Sequence, residues 1–261
     1  MNDPITLAGF LTAALCFTVG WGRLLWYLAE HSTLVRRATI AALAHTRRPL
    51  PEVRSWLLTV LYCGTGLLVG GLFAAAWRLP PETWRPELGT QVALTLLGTT
   101  GAISFTALWV HAGSSLMRAG PERFREMREV PWMAGLRQLP PALVPWVAAG
   151  SAAVEELLFR GVLLRLLLDR FGIAAWIAIA VAGALFCLQQ LLQLRTPFQR
   201  MVVGGACVAL SLAGGLLVVL TGGALSAVIC HASFVVFYLP ERGTGNRQQR
   251  AAGGSREGQR W

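Results

Sequence analysis

The chain contains no lysine; all 23 of its basic residues are arginine. Acidic residues are scarce, 13 in 261, and charges of both signs reach only 14%. A soluble domain carries roughly 25%. That shortage excludes a disordered chain and a coiled coil, and it argues against an ordinary soluble enzyme. Glycine, at 28 residues, is far too sparse for a collagen. Cysteine is also sparse: five residues, at 16, 63, 187, 207 and 230, each inside an apolar run and none with C-x-x-C spacing. Neither a disulfide framework nor a zinc knuckle is suggested. The missing lysine fits a GC-rich genome and carries no chemistry by itself.

Apolar sequence is what the chain has in excess, at 54% with a mean hydropathy of +0.53. Apolar runs cover 5–29, 56–78, 90–112, 141–168, 173–192, 201–220 and 222–239. With about 20 residues per crossing, they predict an all-α, polytopic membrane bundle of about seven transmembrane helices. The first run is not a cleavable signal, because its leading residues include Asp3 and no base.

The arginines divide by side. Arg36, Arg37, Arg47, Arg48 and Arg54 fall in the first linker, and Arg118, Arg123, Arg125, Arg128 and Arg137 in the third. Arg195 and Arg200 fall in the fifth, and Arg242, Arg247, Arg250, Arg256 and Arg260 in the tail. The alternate linkers hold little more than Arg85 and Arg170. The positive-inside rule then places the N-terminus outside and the C-terminus inside. The net charge of +10 thus reads as membrane topology, with the lipid bilayer as partner and no nucleic acid. The expected location is a bacterial inner (plasma) membrane.

Three regions are expected: a three-span part with basic inner loops over 1–140, a four-span core over 141–239, and a disordered basic cytoplasmic tail over 240–261. Residues 33–46 and 118–137 mix arginine with large apolar residues, which suits either interfacial amphipathic helices or plain solvated linkers.

The fourth run breaks the apolar pattern with Glu155, Glu156 and Arg160. A charge at mid-bilayer costs about 2.5–3.5 kcal/mol on the lenient insertion scale. These three therefore need a reason. On a helix, Glu156 and Arg160 stand i,i+4 and can pair, while Glu155 is turned about 100° away. One carboxylate can be held by the arginine; the other can face a polar cavity as a general base. A buried salt bridge that only locks helices together is the plainer reading. Gln189 and Gln190 in the fifth run, and His231 in the seventh, add polar groups at depth. At least one of the amides suits a hydrogen bond to a neighbouring helix.

Glu155-Glu156-x-x-x-Arg160-Gly161 resembles the first motif of the CPBP (Abi) family, which includes type II CAAX prenyl endopeptidases and bacteriocin-processing or self-immunity proteins. Phe186 is similar to the start of that family's second motif, Phe-x-x-x-His. His231 is similar to the start of its third, His-x-x-x-Asn, and Thr221-Gly222-Gly223-Ala224-Leu225 to the lead-in. The resemblance covers about residues 141–239. It implies a CPBP-like core and an intramembrane endopeptidase in which Glu155 activates a water, Glu156 and Arg160 support it, and His231 steadies the oxyanion. Phe186 and Gln190 would line the substrate or position the water. The implied mechanism needs no metal or other cofactor, and a zinc site lacks both H-E-x-x-H and the usual three ligands. The implied partner is a membrane-embedded protein or peptide substrate.

The chain departs from the pattern twice. Gln190 stands where the second-motif histidine belongs, and Val235 where the asparagine belongs. An amide neither takes nor gives a proton near neutral pH, and valine has no donor. The departures keep a second reading open: a catalytically weakened pseudoprotease that binds a membrane peptide as an immunity or assembly factor. A proton-coupled carrier would also place a glutamate in the bilayer, but no internal repeat supports one.

Overall fold

The computed structural model describes residues 4–79 and 88–239; the expected tail over 240–261 and the linker around Arg85 lie outside them. Among the described residues there are only helices and their connections, with no strand. The helices are α1 (Pro4–His31), α2 (Thr33–Leu43), α3 (Leu50–Ala76), α4 (Leu88–Leu116), α5 (Pro121–Glu126), α6 (Pro131–Leu136), α7 (Val144–Glu156), α8 (Ala175–Leu191), α9 (Pro197–Thr221) and α10 (Leu225–Tyr238).

Each apolar run of the sequence falls on a helix. Four of them, α1, α3, α4 and α9, are long and apolar enough to cross a membrane. The others differ in kind: α8 and α10 are apolar but short, and α7 carries the glutamate pair. Large apolar side chains stay exposed along the outer faces, among them Leu67, Leu68 and Leu72 on α3, Leu96, Leu97 and Leu108 on α4, and Leu212 and Leu216 on α9. In water such patches would drive association; in lipid they are the solvated surface.

The helix ends follow local rules. Thr196 caps α9 by accepting from the Gln199 amide, and Gln199 reaches back to the Thr196 amide, a reciprocal capping box. At the other end of α9, Gly222 adopts φ +75°, a left-handed turn that glycine takes without Cβ strain. Helix α7 begins with proline in its first turn, where a missing N–H costs nothing. Past Glu156 the helix widens into π-helical turns over Leu157–Leu164 and Leu166–Arg170, so that Phe171 N–H reaches back five residues to Leu166 O. Such turns are rare and concentrate at functional sites.

Of the two readings open for the basic linkers, helix is the one that forms over much of each. In α2, Ser32 caps the first turn, Val35 and Thr39 are buried, and Arg36 and Arg37 are exposed. The linker over 118–137 folds as α5, a 3₁₀ turn over Met127–Glu129, and α6. Gln199 ties this linker to α9 through a 2.7 Å hydrogen bond to the Glu126 carbonyl.

Helices α7 and α10 pack together, and α10 also lies on α4 and α9; α8 lies between α9, α1 and the π-helical turns. Helix α3 crosses α7 closely. A Cβ at Gly66 would lie 2.7 Å from Val154 Cγ1, so only glycine permits that approach. It brings the residue one turn earlier on α3, Tyr62, against the glutamate that follows Val154.

Candidate active site

Adjacent positions on α7 send Glu155 and Glu156 in different directions. Glu156 is only 1% exposed and meets two bases. Its Oε1 lies 3.2 Å from Arg160 Nη1 and 2.9 Å from His231 Nδ1. Arg160, also 1% exposed, donates from Nη2 to Ser211 Oγ on α9 at 3.2 Å. Its guanidinium lies over the Phe186 ring, 4.4 Å from the centroid, and that ring packs perpendicular to the His231 ring, centroids 5.7 Å apart. A buried charge without such partners would be very costly. Here carboxylate, guanidinium, aromatic face and hydroxyl close around one another.

Glu155 faces the other way. Its Oε1 accepts from the Tyr62 hydroxyl and from Gln190 Nε2, the latter at 2.9 Å. Gln189 Nε2 in turn donates to the Tyr62 oxygen at 3.4 Å. Glu155 Oε2 lies 3.9 Å from His231 Nε2. His231 thus stands between the two carboxylates. A ring nitrogen against an Arg-paired carboxylate carries the proton, so Nδ1 donates to Glu156 and Nε2 addresses Glu155.

Glu155 sits at the wall of a cavity of about 210 Å³. Tyr62, Trp132, Ser151, Gln190, Gln193 and His231 supply its polar lining. The residues that line it from α3, α7, α8 and α10 converge with α6, which contributes Trp132 and Leu136 across one end. The Trp132 indole N–H has no hydrogen-bond partner among the described residues. Val235 also lines the cavity and offers only methyl groups. Among the described residues, no group of three or more His, Cys, Asp or Glu is placed to hold a metal ion.

All six residues singled out in the sequence meet here: Glu155, Glu156, Arg160, Phe186, Gln190 and His231. Sequence reasoning did not find Tyr62, Ser211 or Trp132. Each is a single polar group in an apolar or mixed stretch, brought in from a helix far along the chain. Cys187, one turn from Gln190, has its sulfur 3.8 Å from Ser211 Oγ and does not line the cavity. All five cysteines are free thiols.

Residues 137–237 match a family model described as type II CAAX prenyl endopeptidase Rce1-like. No curated protein and no solved structure matches the chain.

Proposed function

We propose that this chain, whose residues 137–237 belong to the CAAX protease family of membrane peptidases, is an intramembrane endopeptidase that cuts a membrane-anchored protein or peptide with a water activated by Glu155. The observation that carries the reading is the split between the carboxylate's oxygens. Oε1 is tied by two donors, while Oε2 lies 3.9 Å from His231 Nε2, and both residues line the cavity. A water fits between two such atoms within hydrogen-bond reach of both.

In this mechanism Glu155 takes a proton from that water as its oxygen attacks the scissile carbonyl carbon. The carbonyl electron pair moves onto its oxygen. Collapse of the tetrahedral species breaks the C–N bond, and Glu155 returns the proton to the leaving nitrogen. Glu156 and Arg160 fix the His231 ring, and no metal is required. His231 and the Trp132 N–H, with Ser151 and Gln193, are cavity-lining groups that can steady the oxyanion.

The topology belongs to the same proposal: seven crossings, N-terminus outside and C-terminus inside, in a bacterial plasma membrane, with residues 1–140 as a three-span region beside the family core. The arginine distribution supports it. In that frame the cavity opens inward, since Ser55, Val147, Gln193 and Val235 mark the inner ends of their helices. Prenylated substrates are implied only by the family's name, and an unprenylated membrane-anchored peptide suits a bacterial host.

The second reading, a pseudoprotease that binds such a peptide without cutting it, is favoured by Gln190 bonding Glu155 where the family has histidine, and by Val235. Mass spectrometry of membrane-protein termini in the native host separates the two. Wild type, Glu155→Gln and a deletion would be compared. A terminus made only by wild type is the expected result, and it names the substrate. Wild type and Glu155→Gln matching each other, and both differing from the deletion, would replace the peptidase with the scaffold.

A further inference from the structure

Glu155 has a partner that the family segment does not supply. Tyr62 lies on α3, 75 residues before the matched stretch begins at 137, and its hydroxyl donates to the same Glu155 oxygen that Gln190 reaches. The phenol is held on several sides. Gln189 Nε2 donates to its oxygen, which leaves the hydroxyl proton for the carboxylate. The Trp21 ring stacks on it at 4.7 Å with planes 17° apart. Trp21 is itself oriented by a 2.9 Å bond from Nε1 to Thr65 Oγ1. The Gly66 approach described above sets the distance between the two helices.

We infer that Tyr62 is a positioning residue for Glu155, a second donor supplied from the N-terminal region. A single neutral amide can swing with its side chain and leave the carboxylate free to rotate. Two donors from different helices on one oxygen fix the carboxylate plane, so that Oε2 stays turned to His231. Gln190 supplies one of these donors from α8, and Tyr62 brings the second from α3. The inference rests on the proposed role of Glu155 as base.

The test uses the full-length protein in detergent and an internally quenched peptide copying the terminus revealed in the native host. Tyr62→Phe keeps the ring, and therefore the Trp21 stack, while deleting the donor. The expected result is a fall in kcat of roughly 10- to 100-fold, the worth of one hydrogen bond to a charged group. KM and the melting temperature should change little. A Tyr62→Phe enzyme with wild-type kcat overturns the inference. So does a loss that merely tracks the amount of folded protein. If Glu155→Gln cleaves as well as wild type, or no terminus depends on the protein, the peptidase reading itself fails. An inactive Glu155→Gln beside a fully active Tyr62→Phe defeats only the role given to Tyr62.

Discussion

Arg160 makes it possible for two carboxylates to stand next to each other on a buried helix. It touches Glu156, Ser211 and Phe186 at once, and its removal would leave Glu156 charged with only His231 beside it. Breaking a buried pair from one side costs about 3–5 kcal/mol. Arg160→Met is therefore expected to lower the unfolding midpoint in detergent sharply. Removing both charges with Glu156→Leu and Arg160→Met should recover much of that stability while leaving the protein inactive. Equal stability of the single variant and wild type would show that the pair carries no such energy. These residues were legible in the sequence because charge inside an apolar run demands a partner, and the i,i+4 spacing named one. Tyr62 was not. A phenol is at home in an apolar helix, so nothing local marks it, and its partner lies 93 residues away. The amides were half legible: their polarity predicted a bond to a neighbouring helix, but only the fold shows that Gln190 chooses Glu155 and Gln189 chooses Tyr62.

At the scale of single helices, side-chain caps fix two of the starts, Ser32 at α2 and Thr196 at α9. The capping box at Thr196 orients the start of α9, the helix that carries Ser211 to Arg160. Thr196→Ala should cost about 1 kcal/mol, the usual worth of an N-cap side chain. The check is hydrogen exchange of the first-turn amides of α9, which should speed up selectively; unchanged protection there would mean that Gln199 alone holds the turn. The helices were readable because a long apolar run fits no other described element here. The π-helical turns after Glu156 were not readable, because an i→i+5 ladder leaves the apolar pattern unchanged. The same applies to α6. Its mixed composition suited a helix or a linker equally, and only packing against α3 and α7 places Trp132 on the cavity.

Across the whole molecule, two helices that build the site are short. Helix α8 has 17 residues and α10 has 14, or about 26 and 21 Å at ~1.5 Å per residue. A hydrocarbon layer is about 30 Å thick. Helices α3 and α4, with 27 and 29 residues, span that layer with length to spare. In the proposed seven-crossing topology, lipid beside α8 and α10 would compress, at a cost of fractions of a kcal/mol per Å, while lipid beside α3 and α4 would not. The short helices are the ones that carry Gln190 and His231. Reconstituted in bilayers of increasing acyl length, the protein should lose turnover steadily while the fold persists; turnover independent of chain length would show that α8 and α10 are shielded from lipid. Beside either short helix, an arriving membrane-anchored segment would find the interface drawn down towards the depth of Glu155. The distance it must sink before meeting water would then be set partly by the bilayer that the short helices deform.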